Sequence, residues 1–431
     1  MKTAIRTTIL VILMVVLLLP MGCVKKPKNV VRVANFLTDV KLLQICNDVA
    51  REVEKENPGL KIRIENITYS EYQQKLSTQV AAGNAPDVIY VEVNNFVDLY
   101  ARGILEDLTP LVERDRLDLK EYYPGVLGRF TRDGKVYAIP QDTAPSGLVY
   151  YNKNVFDEMG VPYPTDDWAW PEPFLSICKK LQKKDEKGNI VRWAYSDAYP
   201  VGFESFMFSL GGDYVDDTAN PTRVTLDSPA ALTAARFRWD LMHTWKVSPT
   251  TTQVTSFSMG NGIEAMFMSG QIAMMSSGIW HTPKLLSDPK LKFDVVMFPK
   301  GPGGKRGWTS GGSGYSITAG SKNKDAAWKV VRAFTSEPAL RRMMATGFLQ
   351  PALVKVAESP EFLQAPGPSN RKVLLRMTKD SHYQPFMKNW PEIWWGHFNP
   401  AMDRVWIGDK KPEEVMPVVV REINKKFFGM K

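Results

Sequence analysis

Cysteine and histidine are scarce in this chain. Three cysteines among 431 residues cannot make a disulfide scaffold. The four histidines, His243, His281, His382 and His397, are too widely spaced to form a metal motif, so no metal is assigned. There is no Gly/Ser, Gln/Asn or heptad tract and no tandem repeat of about 20 to 50 residues, which excludes low-complexity and solenoid architectures. Nucleotide and hydrolase signatures are missing as well. Gly301-Pro302-Gly303-Gly304-Lys305-Arg306 has Pro299 where a phosphate loop needs its first glycine and Arg306 where it needs Ser or Thr, so it reads as a surface turn. Gly311-Gly312-Ser313-Gly314-Tyr315 lacks the last glycine of a nucleophile elbow. These absences leave no catalytic residue and no cofactor to assign.

What is present is ordinary globular material, 44% hydrophobic and 23% charged, in a chain long enough for about two domains. The formal net charge of +9 stands out and raises the question of an acidic partner. Much of it lies at the N-terminus. Lys2 and Arg6 precede an apolar run of 11 residues, Ile9 to Leu19, too short for the about 20 that span a bilayer. A basic start, a short apolar middle and a small residue at the cleavage point make residues 1–22 a secretory signal. Gly22-Cys23 resembles a bacterial lipobox, with Pro20 where that motif prefers Leu, and implies lipidation of Cys23. Residues 23–29 then form a solvated tether whose lysines suit an anionic lipid surface. Removing Lys2 and Arg6 takes +9 to +7, and setting aside Lys25, Lys26 and Lys28 leaves +4. With no long basic block and no nucleic-acid motif, nucleic acid is not expected as a partner.

The rest alternates strand and helix. Val30 to Asn35 is a β-branched run, Asp39 onward carries apolar residues at helical spacing through Val53, and Pro58-Gly59 stops that helix. Leu60 to Ile67 alternates as a strand, Tyr69 to Ala82 is amphipathic, and Val88 to Val93 is an apolar strand. This order implies a parallel sheet covered by helices, with ligands outside the carboxyl ends of the strands, where Asn35-Phe36 and Asn94-Asn95 lie. Later segments repeat the pattern. Val149 to Tyr151, Ile272 to Ser276 and Phe293 to Pro299 read as strands, Pro173 to Lys184 and Ala230 to Trp245 as helices, and Lys183 to Asn189 as a polar loop. The chain becomes mainly helical from Asp325. Cys46 and Cys178 sit singly on helix faces as buried thiols, although an oxidising exterior permits a disulfide if the fold brings them together.

Aromatic residues carry the chemical information. Of 12 tryptophans, Trp168, Trp170, Trp280, Trp308, Trp390, Trp394 and Trp395 neighbour Gly or Pro in loop-like contexts, whereas Trp239 and Trp328 have helical, core-like settings. A loop indole can stack on the C–H face of a sugar ring while Asp, Asn and Glu engage its hydroxyls.

Several ordered landmarks resemble one family. They are Ala81-Ala82-Gly83-Asn84-Ala85-Pro86-Asp87-Val88-Ile89; Gly134 to Pro140 followed by Val149-Tyr150-Tyr151-Asn152-Lys153; Pro164-Thr165-Asp166-Asp167-Trp168; Met274 to Trp280; and Gly311 to Ile317. Together they resemble the extracellular solute-binding proteins of bacterial ABC importers, in the sugar-binding, maltose-binding branch. The resemblance implies an α/β fold of the periplasmic-binding type, with two discontinuous lobes around a hinged cleft. Residues 30–141 plus 303–350 would form lobe 1 and residues 147–300 plus 355–431 lobe 2, with crossings near 142–146, 300–303 and 350–355. Carried over residue by residue, the ligand positions are Asn35, Asn94, Asp142, Tyr199, Phe203, Glu204, Trp280, Gly311, Gly312 and Trp394. Asp87, at the start of a buried strand, is expected to be structural.

The expectation is therefore an exported, lipid-anchored, monomeric protein facing the periplasm or cell exterior. It would bind a carbohydrate and meet the permease subunits of an ABC importer in the cytoplasmic membrane. Two alternatives stay open. One is the same fold binding a polyamine, metal chelate, phosphoester or peptide. The other is a secreted carbohydrate-active enzyme, which needs two carboxylates about 5 to 9.5 Å apart.

Overall fold

Parallel pairing of the first three strands sets up one end of the molecule. The computed structural model describes residues 29–430 apart from 38, 199, 219 and 258–261. Residues 1–28, with the expected signal segment 1–22 and Cys23, and Tyr199 lie outside the described residues. Val30–Asn35 pairs in parallel with Lys61–Asn66 on one side and Val88–Glu92 on the other. Between them runs the helix Val40–Glu56, capped by Asp39, whose carboxylate accepts from the Leu42 N–H at 2.9 Å. Leu42, Cys46, Val49 and Val53 form its buried face at helical spacing. Ser313–Ile317 adds antiparallel to Val88–Glu92, and Ile139–Pro140 completes the five-stranded sheet. Asp87 is structural: it accepts from the Arg32 N–H at 3.0 Å and the Ser321 hydroxyl at 2.7 Å, tying two segments of the lobe together.

A second five-stranded sheet has the order Phe293–Met297, Leu148–Asn152, Ile272–Ser277, Ile190–Asp197, Lys183–Lys184. Leu148–Asn152 and Ile272–Ser277 are buried along their whole length, as strands covered on both faces must be. The segment expected as a loop from Lys183 differs from that reading. Lys183–Lys184 pairs antiparallel with the start of Ile190–Asp197 as an exposed two-residue edge. Cys46 belongs to the first lobe and Cys178 to the second, and both are free and buried. Burial pushes the Cys46 thiol up to about 12 and Cys178 well above its ordinary value, so both are unreactive at neutral pH.

Between the two α/β lobes lies a four-stranded sheet, Gln350–Pro351, Asp142–Pro145, Trp308–Gly311 and Ser381–His382. Its members come from widely separated parts of the chain. Residues leading into Trp308 still rest on the second lobe: Lys300 N–H donates to Trp168 O at 3.0 Å, and Arg306 donates to Phe298 O at 2.6 Å. After Gln350–Pro351, Lys355 pairs with Glu121 and Glu337, each at 2.9 Å, and Arg341 pairs with Glu361 at 2.8 Å, all on the first lobe. Asn370 then reaches the second lobe, its N–H donating to Asp294 Oδ1 at 3.1 Å. Among the described residues, no helix is long and apolar enough to cross a membrane, and no cluster of three His, Cys, Asp or Glu could hold a metal.

Candidate functional site

Three parallel strands of the first lobe deliver their carboxyl ends to one edge. Asn35 pairs in register with Asn66, and Glu92 ends the neighbouring strand. Asn35 is fully buried. Its Oδ1 accepts from the Leu37 N–H at 3.3 Å, while its Nδ2 has no partner. Phe36 then packs against Tyr69 at 5.3 Å and Tyr90 at 4.9 Å between ring centroids. The phenol of Tyr69 donates to Glu92 Oε2 at 3.0 Å, and the phenol of Tyr90 donates to Asp142 Oδ2 at 2.5 Å. Asn94 and Asn95 open the helix Val93–Ala101 directly after the strand, both half-buried.

Two buried carboxyl groups flank the sheet between the lobes. Asp142 is 2% exposed. Burial raises its pKa to about 7, the Tyr90 phenol and the Ser313 backbone hold it back, and nearby Glu92 raises it further. Burial also raises Glu92, with the Tyr69 hydrogen bond opposing. On the other side, Glu204 accepts from Tyr214 at 2.6 Å and from Thr309 of the central strand at 2.7 Å. Burial lifts Glu204 to about 7 against those two bonds. Each carboxyl thus ties the crossing strands to one lobe.

The glycines of this segment have different jobs. Gly311 is half-exposed beside Ala144. Gly312 has φ +148°, and a Cβ there would lie 2.8 Å from both Asp142 O and Val126 Cγ2, so a side chain would strain the backbone and force the strands apart. Its carbonyl accepts from the Val93 N–H at 3.0 Å.

The second lobe presents the carboxyl ends of Ile190–Asp197 and Ile272–Ser277, also a parallel pair. Trp280 follows in the short helix Ile279–His281. It is half-buried, its ring laid so closely over Gly278 that a Cβ there would come within 1.8 Å of it. Phe203 and Trp394 have no open face. The whole helix Val201–Ser209 is buried, and Phe203 lies against Phe398 and Trp406. Trp394 is sandwiched between Trp390 at 5.6 Å and Phe398 at 5.2 Å, with Tyr214 against its edge. The next residue, Trp395, is 59% exposed. The structure therefore gathers Asn35, Asn94, Asp142, Gly311 and Gly312 at the first lobe and crossing strands, with Glu204 opposite. Trp280 stands at the strand ends of the second lobe.

Sequence reasoning missed Tyr69, Tyr90 and Glu92, which surround Asp142. Tyr90 and Glu92 lie two apart on one strand, so alternation puts them on one face, and that spacing was the available signal.

Two α/β lobes, each turning its strand ends and polar side chains toward shared crossing strands, define a protein that captures a ligand between lobes. Comparison with known proteins agrees. Residues 45–340 match the family described as bacterial extracellular solute-binding protein, and the chain belongs to that family. A maltotriose-binding protein of Pyrococcus abyssi is 24% identical over 403 residues, 90% of this chain and 80% of that one. A galactooligosaccharide-binding protein of Bacillus subtilis is 20% identical over 375 residues, 86% of this chain and 83% of that one. An ABC substrate-binding protein of Listeria monocytogenes, solved in complex with cycloalternan, superimposes with a TM-score of 0.82 at 27% identity, covering 94% of this chain and 100% of that one. These relatives are binding proteins, and this chain is a binding protein rather than an enzyme.

Proposed function

We infer that the protein captures a sugar or oligosaccharide between its lobes and delivers it to the permease subunits of an ABC importer in the cytoplasmic membrane. The observation that carries this reading is the pairing of hydroxyl-reading groups with an open indole. Asn35 and Asn94 lie at the strand ends of the first lobe, Asp142 and Glu204 at the crossing strands, and Trp280 at the strand ends of the second lobe. Carbohydrate needs both chemistries, a C–H face to stack and hydroxyls to bond. The ligands named for the three relatives, maltotriose, galactooligosaccharide and cycloalternan, support the same class. In this reading Tyr199 and the Gly311-Gly312 backbone complete the contact set, Phe203 and Trp394 hold its wall from behind, and Trp395 supplies a second stacking face.

In this reading the chain divides as its sequence implies, residues 30–141 plus 303–350 against 147–300 plus 355–431, with crossings near 142–146, 300–303 and 350–355. The sheet that joins Asp142–Pro145, Trp308–Gly311 and Gln350–Pro351 supports a three-stranded connection of this kind. Ligand favours the closed lobe arrangement, and the permease reads that arrangement. The protein works as a monomer outside the cytoplasm, held to the membrane by lipid on Cys23.

A panel of neutral mono- and oligosaccharides, cycloalternan and maltotriose among them, tests the ligand class by thermal shift. A true ligand at a hundredfold excess over its Kd adds about 2.7 kcal/mol of stability. No shift with any carbohydrate, beside a shift with a polyamine or peptide, would overturn the sugar assignment. Trp280→Ala is expected to weaken the best ligand roughly 30-fold, as losing a stacking anchor of about 2 kcal/mol does. Titration calorimetry reads this directly, and an unchanged Kd would remove Trp280 from the contact set.

A further inference from the structure

A cavity of about 540 Å³ opens between residues 128–132 of the first lobe and 213–218 of the second, beside the edge strand Ser381–His382. Strand alternation sets it apart from the site around Asp142 and Glu204. Thr309 points to Glu204, whereas its neighbour Ser310 points to the opposite face, toward Tyr383, which lines the cavity, with the Ser310 hydroxyl 3.4 Å from Thr143 Oγ1.

Two guanidinium groups share one wall. Arg129 ends the helix Pro124–Arg129, and Arg132 lies on the short strand Thr131–Arg132. Arg132 stacks over the Phe386 ring at 4.3 Å, and Arg129 lies 5.2 Å from the same ring and 5.6 Å from that of Tyr383. One Arg129 nitrogen donates to Gln384 O at 2.9 Å, while its Nε is buried without a partner. Among the described residues neither arginine has a carboxylate ion-pair partner. The cavity's own acid, Asp213, lies 3.5 Å from His382 Nδ1 instead. His382 is held flat on Phe208 at 4.1 Å.

Like charges brought together and desolvated repel each other. Burial, with Arg132 nearby, lowers Arg129 to about 10 although Tyr383 opposes this. Packing alone does not require this, since a leucine or methionine would cover Phe386 without the electrostatic cost. A pair of rigid guanidinium forks with open donor positions is suited to a carboxylate or phosphate oxygen pair.

We propose that this cavity is a second binding site, which takes an anionic group on Arg129 and Arg132 with its organic portion against Phe386 and Tyr383. The anion is either the carboxylate of an acidic sugar or a free phosphate. Because the walls belong to different lobes, an occupant also bridges them. This proposal goes beyond the carbohydrate reading of the cleft and does not depend on it.

Titration calorimetry of the purified exported protein tests it at matched ionic strength with sodium galacturonate, inorganic phosphate and neutral galactose. Saturable binding of galacturonate or phosphate, weakened about tenfold or more in Arg132→Gln and in Arg129→Gln, is the expected result. Saturation by galacturonate alone identifies an acidic sugar, and saturation by phosphate identifies a free anion. Arg132 is half-exposed on a short strand, so its variant stays informative if Arg129→Gln misfolds. Absence of saturation with both anions, or wild-type affinity in Arg132→Gln, would overturn the proposal. A neutral oligosaccharide titrated into the same variants should bind as in wild type. Its failure in wild type would count against the cleft reading alone.

Discussion

Replacing Trp308 with alanine is expected to lower the unfolding free energy by about 3 to 5 kcal/mol, the usual cost of removing a large aromatic from a closed core. Trp308 is completely buried at the start of the central crossing strand. Its indole N–H donates to Met377 O at 2.8 Å, which binds the C-terminal segment to the crossing. Gly147 lies directly against the ring, where a Cβ would sit 2.5 Å from its atoms, so the surroundings are fitted to the indole and cannot easily close over a smaller side chain. Denaturant unfolding of the variant should show the loss as a shifted midpoint at unchanged slope. The void left by the indole would lie at the crossing strands between the lobes, so ligand affinity should change with stability. In a core substitution remote from the crossings, such as Val49→Ala, affinity should stay constant. A loss below about 1 kcal/mol would mean that the crossing strands are held by something other than this ring.

Trp308 also shows where sequence reading reaches its limit. It stands among glycines and was grouped with the loop tryptophans as a candidate for stacking on ligand. Gly and Pro around an indole report the backbone path, not exposure. Trp168 and Trp170 lie beside prolines yet are 3% and 2% exposed, with their N–H groups given to Met297 O and Ser209 Oγ. Only tertiary packing decides whether such a ring fills the core, and single-sequence patterns do not contain it. Strands and helices near the N-terminus were far more legible. The run Val30 to Asn35 is a strand to the residue, and the predicted helix does end just before Pro58-Gly59. Local periodicity and stop signals fix these features, and they need no knowledge of the partner strand. The four-stranded crossing sheet was the opposite case. Its strands, such as Gln350–Pro351 and Ser381–His382, are too short for any period, and they form only because distant segments meet. Trp394 and Trp395 illustrate the same limit at one-residue scale. Both lie in the π-helix Glu392–Phe398, where adjacent side chains point in clearly different directions, so knowing that an aromatic region lies here does not say which ring turns inward.

The protein should lose stability as pH rises from about 4 to about 7, and Asp142 and Glu204 should account for most of that slope. A carboxyl whose pKa is higher in the folded than in the unfolded state binds its proton more tightly when folded. Its contribution is then complete below the unfolded value and is lost as pH rises through the folded value. Asp142 moves from 3.8 to about 7 and Glu204 from 4.5 to about 7, both with burial as the leading cause. Each unit corresponds to about 1.4 kcal/mol, so once fully ionised Glu204 costs on the order of 3 kcal/mol and Asp142 on the order of 4 to 5 kcal/mol. Glu92 moves the same way and adds to the trend. Asp142→Asn and Glu204→Gln keep the shapes and remove the protons. Each should flatten part of the decline between pH 4 and 7, and the double variant most of it. Denaturant titrations at half-unit pH steps, with and without sugar, provide the measurement. Each group also joins a lobe to the crossing strands, Asp142 through Tyr90 and Glu204 through Thr309. The variants should therefore change the pH dependence of ligand affinity along with that of stability. His243, lowered by burial, and the ion-paired carboxylates work in the opposite direction, so the difference between wild type and variants is decisive: a double variant whose pH dependence matches wild type across this window would show that the burial argument for both carboxyls is wrong.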